Sequence, residues 1–283
     1  MTRPAAAVLD TGPVTGPVLS FLGHSTVRVE LAGRTVLTDP LLTAGPHPLR
    51  RTVPLPAPVR WSGVDLVVLS HLHGDHLHLP SLRRLGRDVP VVVPRGAGRW
   101  LSGKGFRAVE ELAPGETLTD GGLTVTGVPA VHSGHRWGPR LTHGPDAAAM
   151  GHLLRGNART VYLAGDTDLF PGMADLGADG VDVAVLPVWG WGLSLGPGHL
   201  DPARAAEAVR LLRPQVAVPV HWGTFAPAGL SRLPSPWRAR MRDRLTAPPR
   251  EFAAAVGPAA RVAVTAPGAP VDLSALRLPE ATP

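Results

Sequence analysis

The stretch Ser70-His71-Leu72-His73-Gly74-Asp75-His76-Leu77-His78 carries four imidazoles and a carboxylate within its last eight residues. Neutral imidazole and carboxylate are donors suited to zinc and related transition metals. A turn spelling His-x-His-x-Asp-His aims several such donors at one point. Metal ligation is a commoner use of that pattern than a histidine-rich surface loop. His132, Asp166 and His221 belong with the turn, because each falls within two residues of the end of an apolar run. Singly they read as a core imidazole, a turn former beside Gly165 and a packed aromatic. Beside the histidine turn they read as ligands arriving together at one edge of a sheet sandwich.

Strands must deliver those ligands. Asp65-Leu66-Val67-Val68-Leu69 is a continuous apolar run that predicts a buried strand entering the turn. Residues 18–22, 27–31 and 35–39, the last two joined by Ala32-Gly33-Arg34, predict an antiparallel meander. Further strands are predicted at 90–93, 106–110, 116–119, 123–131, 160–164, 181–186, 216–220 and 261–265. Helices are predicted at 80–85 and 97–104. Another starts at Asp201-Pro202, with Ala205, Val209 and Leu212 on one face. Two amphipathic stretches, 236–245 and 249–256, follow. Residues 44–60, with five prolines and the pair Arg50-Arg51, read as a long loop without a core. Residues 1–17 read as a mobile leader and 18–283 as one domain without repeat or linker. The fold class is α/β (α+β), with two packed sheets and helices on their outer faces.

Composition excludes several functions. With no cysteine, disulfides and thiolate metal sites are ruled out. No run of eighteen apolar residues exists, so no membrane span is expected. The apolar part of Met1 to Asp10 is too short for a secretory signal, and a cytoplasmic location is expected. The net charge is +6, and Lys104 is the only lysine, so the basic surplus is guanidinium. Arg238, Arg240, Arg242 and Arg244 alternate along a predicted helix and spread around it. Nucleic acid is therefore not an expected partner.

His71-x-His73-x-Asp75-His76, followed in order by His132, Asp166 and His221, resembles the metallo-β-lactamase superfamily, whose fold is a four-layer αββα sandwich. Gly23-His24-Ser25-Thr26, Thr38-Asp39-Pro40, Ala164-Gly165-Asp166-Thr167 and Gly196-Pro197-Gly198-His199-Leu200-Asp201-Pro202 are similar to the branch containing L-ascorbate-6-phosphate lactonase and N-acyl-phosphatidylethanolamine phospholipase D. The resemblance spans residues 18–265. It implies two divalent metal ions, zinc first, with manganese and iron as alternatives. His71, His73 and His132 would hold one ion; Asp75, His76 and His221 would hold the other; Asp166 would bridge them. A hydroxide between the ions would be the nucleophile, and Asp75 would orient it or pass on its proton. His24 and His199 would be substrate contacts or partners of the ligands, and His78 would lie outside the ligand set. His135, Arg136 and Arg140 would offer a cation to a phosphate or carboxylate, and Trp189 and Trp191 would wall the pocket. The expected activity is hydrolysis of a small ester-like substrate, a phosphodiester or a lactone. A nuclease of the same superfamily and a metal-binding protein without turnover are the alternatives. Oligomeric state has no signature in the sequence.

Overall fold

The structure, a computed structural model, describes residues 16–136, 144–190, 195–230 and 234–276. Residues 1–15 of the expected leader, Arg140 and Trp191 lie outside the described residues.

The chain opens on the antiparallel meander β1 (Val18–Gly23), β2 (Thr26–Leu31) and β3 (Arg34–Thr38). Next come β4 (Leu49–Arg51), β5 (Leu66–Val68), α1 (Leu79–Leu85), β6 (Val91–Pro94), α2 (Gly98–Ser102) and β7 (Val109–Leu112). Of these strands β5, β6 and β7 extend the meander in parallel from β3. The second half repeats the plan. β8 (Thr117–Asp120), β9 (Leu123–Pro129), β10 (Met150–Gly156) and β11 (Arg159–Leu163) are antiparallel. Then α3 (Met173–Ala178), β12 (Val183–Pro187), α4 (Pro202–Leu212) and β13 (Val216–Val220) continue, the strands now parallel. The chain closes with β14 (Phe225–Pro227), α5 (Ser235–Arg244), α6 (Pro248–Val256), β15 (Arg261–Val262) and β16 (Ala269–Pro270).

Two seven-stranded sheets result, β16-β1-β2-β3-β5-β6-β7 and β15-β13-β12-β11-β10-β9-β8. The inner parallel strands β5, β6, β12 and β13 are buried on both faces, which is why they appear in the sequence as unbroken apolar runs. Leu66 and Val68 of β5 face the same core as Val161, Leu163, Val183, Val185, Val216, Val218 and Val220 of the second sheet. Val67 and Leu69 turn outward beneath α1 and α2 with Leu82 and Leu101. On the opposite outer face Tyr162, Ala184, Leu186 and Ala217 pack with Val209 and Leu212 of α4 and Phe252 of α6. The four layers are therefore helix, sheet, sheet and helix, as the resemblance implied.

Several details differ from the sequence reading, among them α3, which it did not foresee. Residues 44–60 are pinned, because β4 pairs with β14 and Thr52 N–H donates to Thr224 O at 2.8 Å. The last predicted strand shortens to β15, and the unforeseen β16 returns the chain to β1 in the first sheet. Within α5 only Met241 is buried, so that helix is not amphipathic in the expected sense.

His152 is an unexpected polar residue in the core, on the inner face of β10 between Met150 and Leu154. Burial lowers its pKa to about 4, with Asp39 opposing that shift. As pH falls from the ordinary histidine value of 6.5 towards 4, the unfolded chain takes up a proton that the native protein refuses. Stability therefore declines over that window, by on the order of 3 kcal/mol from this group. Denaturant titrations of metal-free protein at stepped pH should show a shallower acid decline for His152→Leu than for wild type. Parallel curves would contradict the assignment.

Candidate metal centre

Every expected ligand stands at a strand end on one edge of the sandwich. β5 runs into the histidine turn, β9 leads to His132, β11 to Asp166 and β13 to His221. Several of these ends need unusual backbone. His24, Asp39 and His221 have φ of 58°, 35° and 66°. That left-handed region is sterically costly for most residues and tolerated best by Asn, Asp and His. Gly165 also has positive φ, and a β-carbon there would lie 2.4 Å from the Ser70 β-carbon. Only glycine lets the Asp166 turn approach the histidine turn so closely.

The first constellation is His71, His73 and His132. His71 Nε2 lies 3.0 Å, and His132 Nε2 3.2 Å, from His73 Nδ1. The far sides of two rings decide their tautomers. Ser70 Oγ donates to Asp39 at 2.6 Å, so at 2.9 Å it accepts from His71 Nδ1–H. His132 Nδ1–H donates to Gly198 O at 2.7 Å. Both rings therefore present bare Nε2 lone pairs inward, and metal-ligating histidines are oriented by partners of this kind. Burial, foremost, keeps all three imidazoles neutral, with the His73 pKa lowered to about 4 and those of His71 and His132 also lowered.

The second constellation groups His76, Asp75, His221 and His24, whose donor atoms all lie within 4.8 Å of one another. His76 Nδ1–H donates to Asp39 Oδ2 at 2.9 Å, which turns its Nε2 towards Asp166 Oδ2 at 3.4 Å and Asp75 Oδ2 at 3.9 Å. Burial alone would lower the His76 pKa, but Asp166, Asp39 and Asp75 raise it well above the usual value. Such an excess of buried negative charge is what a bound dication would neutralise. Burial would raise the carboxyls; His76 foremost for Asp75, and His221 for Asp166, instead hold them well below the carboxylate range.

Asp166 stands between the two groups. Its Oδ2 lies 3.3 Å from His221 Nε2, 3.4 Å from His76 Nε2 and 4.0 Å from His132 Nε2. Its Oδ1 is buried without a hydrogen-bond partner among the described residues. An orphaned carboxylate oxygen beside the inward lone pairs of His71 and His132 fits cation binding. The donor set suits a transition-metal dication, and the residues fit that ion.

Other expected residues take varied places. His199 sits against His132, ring centroids 4.7 Å apart, and shares a donor group with His132 and Asp166. His78 turns to Ser81 Oγ at 2.7 Å, outside every ligand group among the described residues. Arg136 donates to Leu72 O and Leu77 O at 2.9 and 2.6 Å, clamping both ends of the histidine turn. Trp189 is buried. Sequence reasoning missed the anchor beneath the turn. Asp39 accepts from Ser70 N–H, Ser70 Oγ–H and His76 Nδ1–H, and its partners lie 31 and 37 positions away. Behind it a cavity of about 20 Å³, room for one water, is lined by Ser25, Asp39, Ser70 and His152.

Sandwich and ligand set together define a metal-dependent hydrolase of the metallo-β-lactamase fold. Residues 34–222 match the family described as Beta-lactamase superfamily domain, and the chain belongs to that superfamily. It is 35% identical over 214 residues to a UPF0173 metal-dependent hydrolase of Methanopyrus kandleri, covering 74% of this chain and 85% of that protein. Igni18, a metallo hydrolase of Ignicoccus hospitalis, is similar with a TM-score of 0.68 and 29% identity, over 91% of this chain and 98% of that one. The isothiocyanate hydrolase from Delia radicum gut bacteria shares the fold, with a TM-score of 0.68 and 22% identity over 91% and 99% of the two chains. Among the described residues no helix is long and apolar enough to cross a membrane.

Asp39→Asn tests the anchor. An amide in place of the carboxylate sets an N–H against one of the Ser70 or His76 donors and loosens the His76 ring. Metal affinity should drop about 10–100-fold, read by chelator competition, while the metal-free protein still folds. Unchanged metal affinities would contradict the role given to Asp39.

Proposed function

We propose that this hydrolase works with a pair of divalent metals on a small ester-like substrate, a phosphodiester or a lactone. The observation that carries the reading is the single Asp166 Oδ2, within 4.0 Å of imidazoles from both constellations. His71, His73 and His132 would hold one ion and Asp75, His76 and His221 the other, with Asp166 between them. When bound, such a pair lowers the pKa of a shared water, supplies the nucleophile and neutralises charge on the leaving oxygen.

The chain's own residues do the rest. Asp166 sets the spacing of the two donor groups and offsets part of their positive charge. Asp75, partly open at 18% exposure, is the acidic group placed to orient the nucleophile and carry its proton to the leaving group. His199, edge-on to His132, is placed to touch substrate beside the first ion. Zinc is the first expectation at both positions, with manganese or iron as alternatives. The Gly23-His24, Asp39-Pro40 and Gly198-His199 motifs favour the lactonase and phospholipase branch. A nuclease reading has less support: Arg244 is engaged with Glu251, and the exposed Arg242 lies on the opposite face of the helix from Arg240 and Arg244. Trials of chromogenic phosphodiesters, phosphomonoesters and lactones with each metal would resolve the substrate class.

Asp166→Asn keeps the side-chain volume but loses the charge between the ions. Turnover should fall by several kcal/mol of barrier, on the order of 100-fold or more, and metal content should fall with it. His199→Ala is the comparison, and should impair kcat or KM while both metals stay bound. Full activity and two metals in Asp166→Asn would contradict the bridge. A lost metal in His199→Ala would make His199 a ligand.

A further inference from the structure

His24 is fully buried at the second constellation, with no exposed face to offer a substrate. Its Nε2 lies 3.1 Å from Asp75 Oδ2. Its ring centroid is 4.2 Å from that of His221 and 5.0 Å from that of His76. Two donors on one ion, each with a bond of about 2.0–2.2 Å, stand about 3–4.4 Å apart, so 3.1 Å suits neighbouring ligands as well as a hydrogen bond.

The backbone shows how firmly this ring is aimed. His24 holds the left-handed φ of 58° and His221 holds 66°. His24 N–H donates to Thr224 Oγ1 at 2.7 Å, and His24 O accepts from His221 N–H at 2.8 Å. Two strained histidines from opposite sheets are thus locked to each other with both rings converging on Asp75 and His76. Strain of this kind persists where surrounding structure enforces it, and it clusters at functional sites.

We infer that His24 is a fourth ligand of the second metal, through Nε2. This rests on the dinuclear reading above. The second position then has His24, Asp75, His76, His221 and the Asp166 bridge, while the first has three imidazoles and the bridge. In the metal-free protein His24 Nε2–H donates to Asp75. On loading, that proton leaves to solvent and both atoms turn to the ion, as ligands must be deprotonated to bind. The centre is therefore asymmetric. The first position matches the three-histidine arrangement that zinc favours, and the second suits an ion of higher coordination number, such as manganese or ferrous iron.

The test loads the chelator-stripped full chain with cobalt(II) and counts the exchangeable, paramagnetically shifted imidazole N–H signals by proton NMR. Six ligand imidazoles are expected: His24, His71, His73, His76, His132 and His221. His24→Asn keeps a residue that tolerates the left-handed backbone, and His24→Phe keeps a ring. Both should show five signals. Both should also lose affinity for the second cobalt by more than the about 10–100-fold that a lost hydrogen-bond partner of a ligand costs. Five signals in wild type, or an affinity for the second cobalt in His24→Asn lowered by no more than about 100-fold, would overturn the proposal and leave His24 a hydrogen-bond partner of Asp75. Uptake of one cobalt only would overturn the dinuclear reading itself, which keeps the two failures distinct. The wild-type count decides the matter even if a variant does not fold.

Discussion

A buried carboxylate among imidazoles sets the terms for the structure around it. Asp166 is 5% exposed and carries an oxygen without a hydrogen-bond partner among the described residues. Taking such a charge out of water costs several kcal/mol, and only nearby positive charge or donors offset it. The imidazoles that face it come from the turn after β5, the end of β9 and the end of β13, so both sheets must present their edges in register. The valine-rich core behind them, Val68 against Val185 and Val220, supplies that rigidity. Stability in this fold is concentrated in the layers, and the metal edge draws on it.

Local strain follows from the same demand. Strand ends that must aim side chains inward adopt left-handed backbone at His24, Asp39 and His221, whereas Ala32, Asn157, Ala158 and Arg213 adopt it only at turns or a helix end. Each is held by long-range bonds: Asp39 by Ser70 and His76, His24 by Thr224, His221 by the His24 carbonyl. Arg136 adds a clamp across the histidine turn, its guanidinium also lying 5.2 Å from the Trp100 ring centroid. Of the residues offered in the sequence reading to a phosphate or carboxylate, Arg136 is thus engaged in holding the ligand loop. Local preference and global fold disagree here because the site needs them to.

What was legible in the sequence depended on residue type and period. The histidine turn announced itself because few patterns other than a metal site place His, His, Asp and His so densely. The inner parallel strands were readable because burial on both faces removes polar residues from the run. His132, Asp166 and His221 were readable only as followers of such runs. Asp39 was readable only within the Thr38-Asp39-Pro40 motif; its anchoring role was not legible, since an aspartate before proline has the composition of a turn and its partners are distant in sequence. His152 interrupts an otherwise apolar face of β10 with no period to mark it. β16 and the β4–β14 pair were invisible because two or three residues carry too little pattern, and their pairing is set by tertiary contact. The arginines of α5 were foreseen as dispersed, yet the helix proved to bury only Met241.

The shared carboxylate makes one quantity decisive, the number of metals each chain holds. Chelator-stripped protein titrated with zinc or manganese, followed by calorimetry and elemental analysis, should take up two ions per chain, and His73→Ala should lose one of them. A bridged pair demands that stoichiometry. Protein that stays metal-free after reconstitution, with His73→Ala indistinguishable from wild type, would contradict the reading at its centre.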